Sequence, residues 1–257
     1  MESEITISII GAGNLATQLG NALHKEGYLI SQVYSRSQKN AALLAKKLNA
    51  KPISDFKKLS TDASVYIIAI KDDAIEAVAK QLKLKDKIVV HTSGSVSVNV
   101  LKNCSKNYGV FYPLQTFSKS KTAEFKTIPI CIEASNTSTS TTLQYFAKSI
   151  SGNVQKVNSD QRKKIHLAAV FACNFSNHMY AIAEALLKKD KLSFELLKPL
   201  IEETAGKIKD NHPKDVQTGP AMRKDKKTME AHLKLLSKEK DLQKIYSILS
   251  ESIMKIK

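Results

Sequence analysis

Three clusters in this chain have the residue types and spacing for chemistry. The first is Gly11-Ala12-Gly13-Asn14-Leu15-Ala16, which follows the apolar run Ile5, Ile7, Ile9 and Ile10 and leads at once into a helical pattern. Gly11 permits a tight turn, Gly13 lets backbone approach a diphosphate, and Ala16 lets the helix pack close to the strand. The first free N–H groups of that helix then point at the anion. A G-x-G-x-x-A between strand and helix reads as a dinucleotide cradle; the alternative is a glycine turn in some other α/β domain. The second cluster is Ser35-Arg36-Ser37, after the apolar segment Ile30–Tyr34. An acidic side chain here would accept hydrogen bonds from ribose hydroxyls, whereas hydroxyls and an Arg suit a 2′-phosphate, so NADP(H) is expected over NAD(H). The third is His166, Asn174 and Asn177, polar interruptions of a long apolar helix. At 100° per residue His166 and Asn177 align with Asn174 on their flank. A buried polar stripe there is either a hydrogen-bond network or the wall of a site.

Two further strand ends belong with these clusters. Ile70 and Lys71 end one apolar run and are expected along the dinucleotide; Thr92, Ser93 and Gly94 end the next and are expected near the nicotinamide and substrate. His91 is either catalytic or a hydrogen-bonded structural residue. Arg223 opens a helix on which Thr228 and His232 share a face, a natural carboxylate clamp. The alternative is a capped helix start with Asp225 as N-cap. Candidate cofactor contacts are therefore Gly11 to Ala16, Ser35, Arg36, Ser37, Ile70, Lys71 and Thr92. Candidate substrate contacts are Ser93, Gly94, Gln115, Asn177, Arg223 and Thr228. No metal site is expected.

The elements that must position these residues alternate. Strands at Ile5–Ile10, Ile30–Tyr34, Lys51–Ile53, Val65–Ile70, Lys87–His91, Val110–Tyr112 and Ile128–Glu133 are interleaved with helices at Asn14–Glu26, Gln38–Leu48 and Asp73–Gln81. Ser135–Thr142 reads as a polar loop entering a helix that ends near Ile150, and Asn153–Val157 closes the sheet. The alternation predicts an α/β fold with a doubly wound parallel sheet. From Asn158 the pattern is helical throughout, so residues 1–157 form a Rossmann-type dinucleotide-binding domain. Residues 158–257 form an all-helical substrate and dimerisation domain, whose first helix, running to about Leu187, is expected to be buried. Its apolar faces predict a homodimer.

The net charge of +16 comes almost entirely from dispersed Lys, with Arg only at positions 36, 162 and 223. Dispersed Lys argues against a nucleic-acid binder, which would cluster Arg and aromatic residues, but such a field favours an anionic cofactor and substrate. Each Arg is a candidate grip on phosphate or carboxylate. Cys104, Cys131 and Cys173 are widely spaced and read as reduced, buried thiols of a cytoplasmic protein. No run is apolar enough for a membrane span, and Glu2 and Glu4 before the first strand are unlike a signal peptide.

Taken together, Gly11–Ala16, His91–Ser95, Tyr112-Pro113-Leu114-Gln115-Thr116-Phe117, His166–Asn177 and Thr218–Asp225 with Thr228 and His232 resemble one group over nearly the full length. It is the Rossmann-like NADP oxidoreductases with a helical C-terminal domain of long-undefined function. They are related to 6-phosphogluconate dehydrogenase, ketopantoate reductase and pyrroline-5-carboxylate reductase. The chain departs from that pattern at Tyr112, where a His is usual, and at Ile165, where a Tyr is usual. The resemblance implies hydride transfer in the cleft between domains, often completed at a dimer interface. It also implies that His166 acts as general acid, in the place of a Lys in ketopantoate reductases, and that Asn174 orients the substrate carbonyl, with Val170 at the intermediate position. The expected activity is NADPH-dependent reduction of a small anionic carbonyl compound, a 2-keto acid such as ketopantoate. Alternatives are a cyclic imine reductase of the pyrroline-carboxylate type and a non-catalytic NADP sensor or scaffold.

Overall fold

The computed structural model describes residues 5–119 and 121–256, so Glu2 and Glu4 lie outside the described residues. Contacts divide the chain into two compact units, the first ending at Asn177 and the second starting at His178. The division falls inside a helix, later than Asn158, where the helical pattern starts.

In the first unit, eight strands form one sheet: β1 (Thr6–Ile10), β2 (Leu29–Tyr34), β3 (Lys51–Ile53), β4 (Val65–Ile68), β5 (Ile88–His91), β6 (Asn107–Pro113), β7 (Ile130–Ala134) and β8 (Val154–Lys156). Their order is β3-β2-β1-β4-β5-β6-β7-β8. Strand alternation sorts the apolar residues onto two faces. Ile7, Ile9, Ile67, Val90 and Phe111 pack with α1 (Asn14–Lys25), α2 (Gln38–Lys47) and α4 (Thr137–Ile150) through Leu19, Leu23, Leu44, Leu143 and Phe146. Ile10, Tyr66, Ile68 and Val89 pack on the other face with Ile75 and Ala79 of α3 (Asp72–Gln81) and with Leu101. Both faces are covered, which is why β4 and β5 read as continuous apolar runs.

Two expectations of this unit need correction. The sheet is not parallel throughout: β7 runs antiparallel to β6. Among the described residues the segment between them holds a single 3-10 turn at Phe125–Thr127 and no crossover helix that would return the chain to the other end of the sheet. The Ser/Thr-rich stretch is helix from Thr137 onward rather than loop. Asn136 caps it by accepting from the Thr139 N–H, and the hydroxyls of Thr141 and Thr142 bond back to the carbonyls of Thr137 and Ser138. Burial of Leu143, Phe146, Ala147 and Ile150 outweighs the weak helix preference of those hydroxyl residues.

The next helix starts at α5 (Ser159–Ala169) with a reciprocal cap between Asn158 and Gln161. It widens into a π segment at Val170–Phe175 and continues as α6 (Ser176–Lys189). The Ser176 hydroxyl reaches the Phe171 carbonyl five residues back, the spacing of the wide turn. This helix was expected to be buried, yet Leu167, Phe171 and Phe175 are exposed by 58%, 62% and 48%. Cys173, expected to be buried, is exposed, while Cys104 and Cys131 are buried. The apolar periodicity is real, but this chain alone does not cover it.

The second unit continues through α7 (Lys198–Lys207), α8 (Lys226–Leu235) and α9 (Lys240–Met254). Lys189 pairs with Glu239, the Gln243 side chain donates to the Leu233 carbonyl, and His232 Nδ1 lies 2.9 Å from Tyr246 Oη. Among the described residues no helix is long and apolar enough to cross a membrane.

Candidate active site

The glycine turn sits where β1 ends. Gly11 has φ +133° and is buried, and a Cβ there would lie 2.0 Å from the Ala69 carbonyl oxygen. No other residue fits. Gly13 opens α1, has nothing within 4 Å of where its Cβ would be, and leaves the helix without a side-chain cap. The first turn of α1 carries no acidic residue. Uncapped N–H groups, open space and the positive end of the helix suit a diphosphate. The Asn14 side chain is used otherwise: it donates to the Phe117 carbonyl. One turn later, Gln18 donates to the carbonyls of Ser118 and Lys121 and accepts from the Ala123 N–H. The two amides thus strap the segment carrying Gln115 onto α1. Sequence reasoning missed Gln18, although a Gln on the buried face of α1 signals a tertiary hydrogen bond.

At the end of β2, Ser35 Oγ accepts from the Ser37 N–H, and Ser37 caps α2 by accepting from the Asn40 N–H. Their hydroxyls shape the turn. Arg36 between them is exposed, with no ion pair among the described residues, and is free to meet a 2′-phosphate. Ile70 packs beside Gly11, and Lys71 is exposed at the start of α3.

The loop after β5 is rigid. Thr92 is tied to the Ile68 carbonyl. The Ser93 hydroxyl accepts from the N–H groups of Ser95 and Val96, and Ser95 Oγ donates to Asp72 at 2.5 Å. His91 is wholly buried; its Nδ1 accepts from the Ser93 N–H and its Nε2 faces the Ser97 carbonyl at 3.4 Å. Burial, then the nearby Arg162 cation, push its pKa down to about 4. Buried with both ring nitrogens engaged, His91 has the environment of the hydrogen-bonded residue among the two alternatives. Arg162 completes the loop: fully buried, it donates to the carbonyls of Ser93 and Val96 and to the Ser159 hydroxyl, and pairs with Glu133. Its fork grips a carboxylate, as its rarity suggested, but one inside the protein.

Gly94 presents its backbone to two side chains that meet there. Tyr112, at the end of β6, places its hydroxyl 3.1 Å from Nδ1 of the half-buried His166 on α5. The phenol is pushed up to about 12 by burial first, then by Cys131 and Asp72. Sequence reasoning discounted Tyr112 as a departure from a family pattern; a hydroxyl within reach of the candidate acid was the available signal. Gln115, Asn174 and Asn177 belong to the same unit and are exposed, so Asn174 and Asn177 form no buried stripe; the π segment changes the register on which that alignment was drawn. Arg223 and Thr228 belong to the second unit. There Asp225 caps α8, accepting from both the N–H and the hydroxyl of Thr228, the second of the two readings of that motif. Arg223 is exposed.

A doubly wound sheet with an uncapped glycine turn at the end of its first strand is the architecture of a dinucleotide-binding domain. A family model described as "NADP oxidoreductase coenzyme F420-dependent" matches residues 6–94, and one described as "Domain of unknown function (DUF2520)" matches residues 128–253. An NADP oxidoreductase structure from Bacteroides fragilis, so designated, is 45% identical, covers 98% of each chain and superposes with a TM-score of 0.93. The chain belongs to this NADP oxidoreductase family, with its helical C-terminal domain of unknown function. It is an NADP-dependent enzyme, which removes the sensor or scaffold alternative. More distant structures share the fold. An imine reductase from Myxococcus stipitatus in complex with NADP+ is 14% identical with a TM-score of 0.65, covering 97% of this chain and 91% of that one. A pyrroline-5-carboxylate reductase from Coxiella burnetii is 19% identical with a TM-score of 0.58, covering 98% and 97%. No curated protein matches.

Proposed function

We propose that the enzyme reduces a small anionic carbonyl compound, a 2-keto acid such as ketopantoate, with NADPH. When bound, the dinucleotide supplies the hydride. Residues 11–16 would hold its diphosphate through backbone N–H groups, and Arg36 its 2′-phosphate. Ile70, Lys71 and Thr92 would line its path. His166 gives the proton to the oxygen of the reduced carbonyl, and Asn174 orients that carbonyl. Ser93 and Gly94 shape the floor, with Gln115 and Asn177 as further contacts to the anion. The single observation that carries this reading is His166, half-buried and held at Nδ1 by Tyr112 beside the β5 loop.

A cyclic imine is the second reading, favoured by the imine and pyrroline-carboxylate reductases that share the fold. NADPH oxidation against ketopantoate, other 2-keto acids and pyrroline-5-carboxylate separates the two. With a keto acid, His166→Ala costs at least about a hundredfold in rate, the usual worth of a general acid. With an already protonated imine the same substitution changes little. A near wild-type rate on keto acids removes His166 from the chemistry.

We also propose that residues 158–257 act as the substrate and dimerisation domain, pairing with a second copy. The support is the apolar surface left on its helices: Leu167, Phe171, Leu196, Leu200 and, at 82% exposure, Leu235. Side chains of this size, exposed in such number, mark a covered interface.

A further inference from the structure

Two elements converge on one ring nitrogen of His166. Tyr112 comes from the end of β6, with ring centroids 6.2 Å apart and planes near perpendicular. Gly94 closes another side: a Cβ there would sit 2.7 Å from Nδ1 and 2.9 Å from Tyr112 Cζ. Gly94 cannot drift, because His91 and Arg162 hold the carbonyls and N–H groups on either side of it. α5, which carries His166, is pinned to the same loop through Arg162 and to β7 through Glu133. Among the described residues Nε2 of His166 has no hydrogen-bond partner, and the Tyr112 hydroxyl has no other acceptor.

We propose that Tyr112 is a positioning residue: its hydroxyl engages Nδ1 and so makes Nε2 the nitrogen that hands over the proton. The inference rests on His166 being the proton donor. In the resting neutral ring Tyr112 donates to Nδ1 and the proton resides on Nε2. In the imidazolium the same oxygen accepts from Nδ1–H, so one hydroxyl serves both states without changing its own charge. During reduction, hydride forms the new C–H bond and the π pair of the C=O moves to oxygen. The Nε2–H bond of the imidazolium breaks to form O–H, leaving a neutral ring whose remaining proton is on Nδ1 and is donated to the Tyr112 oxygen; a proton from solvent then returns to Nε2. Tyr112 stays a phenol throughout.

The test uses the full chain without cofactor, labelled with 15N in its histidine rings, with His166→Ala identifying the His166 signals. The wild type shows neutral His166 as a single Nε2–H tautomer. Tyr112→Phe shows a mixture of both tautomers, and its rate on a 2-keto acid such as ketopantoate falls about tenfold, the loss of one hydrogen bond. The Michaelis constant for NADPH is unchanged. Gly94→Ala, which pushes the ring away while keeping the hydroxyl, gives the same mixture. A wild-type tautomer in either folded variant overturns the pairing. A mixture in both variants together with a wild-type rate for His166→Ala sinks the acid assignment instead, and the proton-handing role with it.

Discussion

Arg162→Met tests the framework that holds the site. Arg162 is fully buried and makes four contacts: Glu133, the Ser93 and Val96 carbonyls, and the Ser159 hydroxyl. Met fills much of the same volume, so the cavity contribution is small and the loss is electrostatic. Glu133, 15% exposed, would lose its counter-ion, and two carbonyls would lose their donors. Breaking a buried pair by removing one partner costs about 3–5 kcal/mol. For a chain of this size that lowers the melting temperature by about 10 °C. Melts followed by circular dichroism measure it. The double variant Arg162→Met/Glu133→Leu removes the stranded charge and recovers a large part of the loss, because an apolar pair avoids the desolvation cost. A single variant within about 1 kcal/mol of wild type, or a double variant no more stable than the single, refutes the reasoning.

Three other outcomes follow from the same geometry. Arg36→Ala weakens NADPH binding about ten- to hundredfold, the worth of charge-assisted hydrogen bonds, and leaves NADH unchanged by calorimetry. Buried His91 titrates near 4 when folded against 6.5 in the open chain. Between those values the unfolded chain binds more protons, so stability is full above pH 6.5 and falls by on the order of 3 kcal/mol on acidification to pH 4. Denaturant titrations across that range read the slope, and His91→Gln flattens it. Light scattering gives twice the chain mass of 28.4 kDa, and Phe171→Glu, which places charge on the uncovered helix face, shifts it toward the monomer.

Much of the cofactor half was legible in the residues. Alternating strand and helix patterns and the Gly11–Ala16 turn are local signals, and the structure forms each of them locally. The antiparallel β7 was less visible, because its cause is a missing helix between Pro113 and Ile130 rather than a residue that is present. Thr137–Thr142 misled because hydroxyl side chains can serve loop or helix, and the deciding contacts come from Leu143 and Phe146 across the sheet. The His166 site was only partly legible. Its helical wheel assumed one pitch, which the π segment breaks, and its apolar stripe pointed to burial that one chain does not provide. Arg162 and Tyr112 act through residues some 29 to 69 positions away, a separation that spacing along the chain does not reveal.

NADPH consumption by the purified chain, followed by absorbance with ketopantoate, related 2-keto acids and pyrroline-5-carboxylate in turn, is the most direct trial of the proposed reaction. Saturable turnover with at least one of these anions, lost on Gly13→Asp because a carboxylate then occupies the diphosphate cradle, is the expected result. Turnover with none of them, or full turnover in Gly13→Asp, contradicts it.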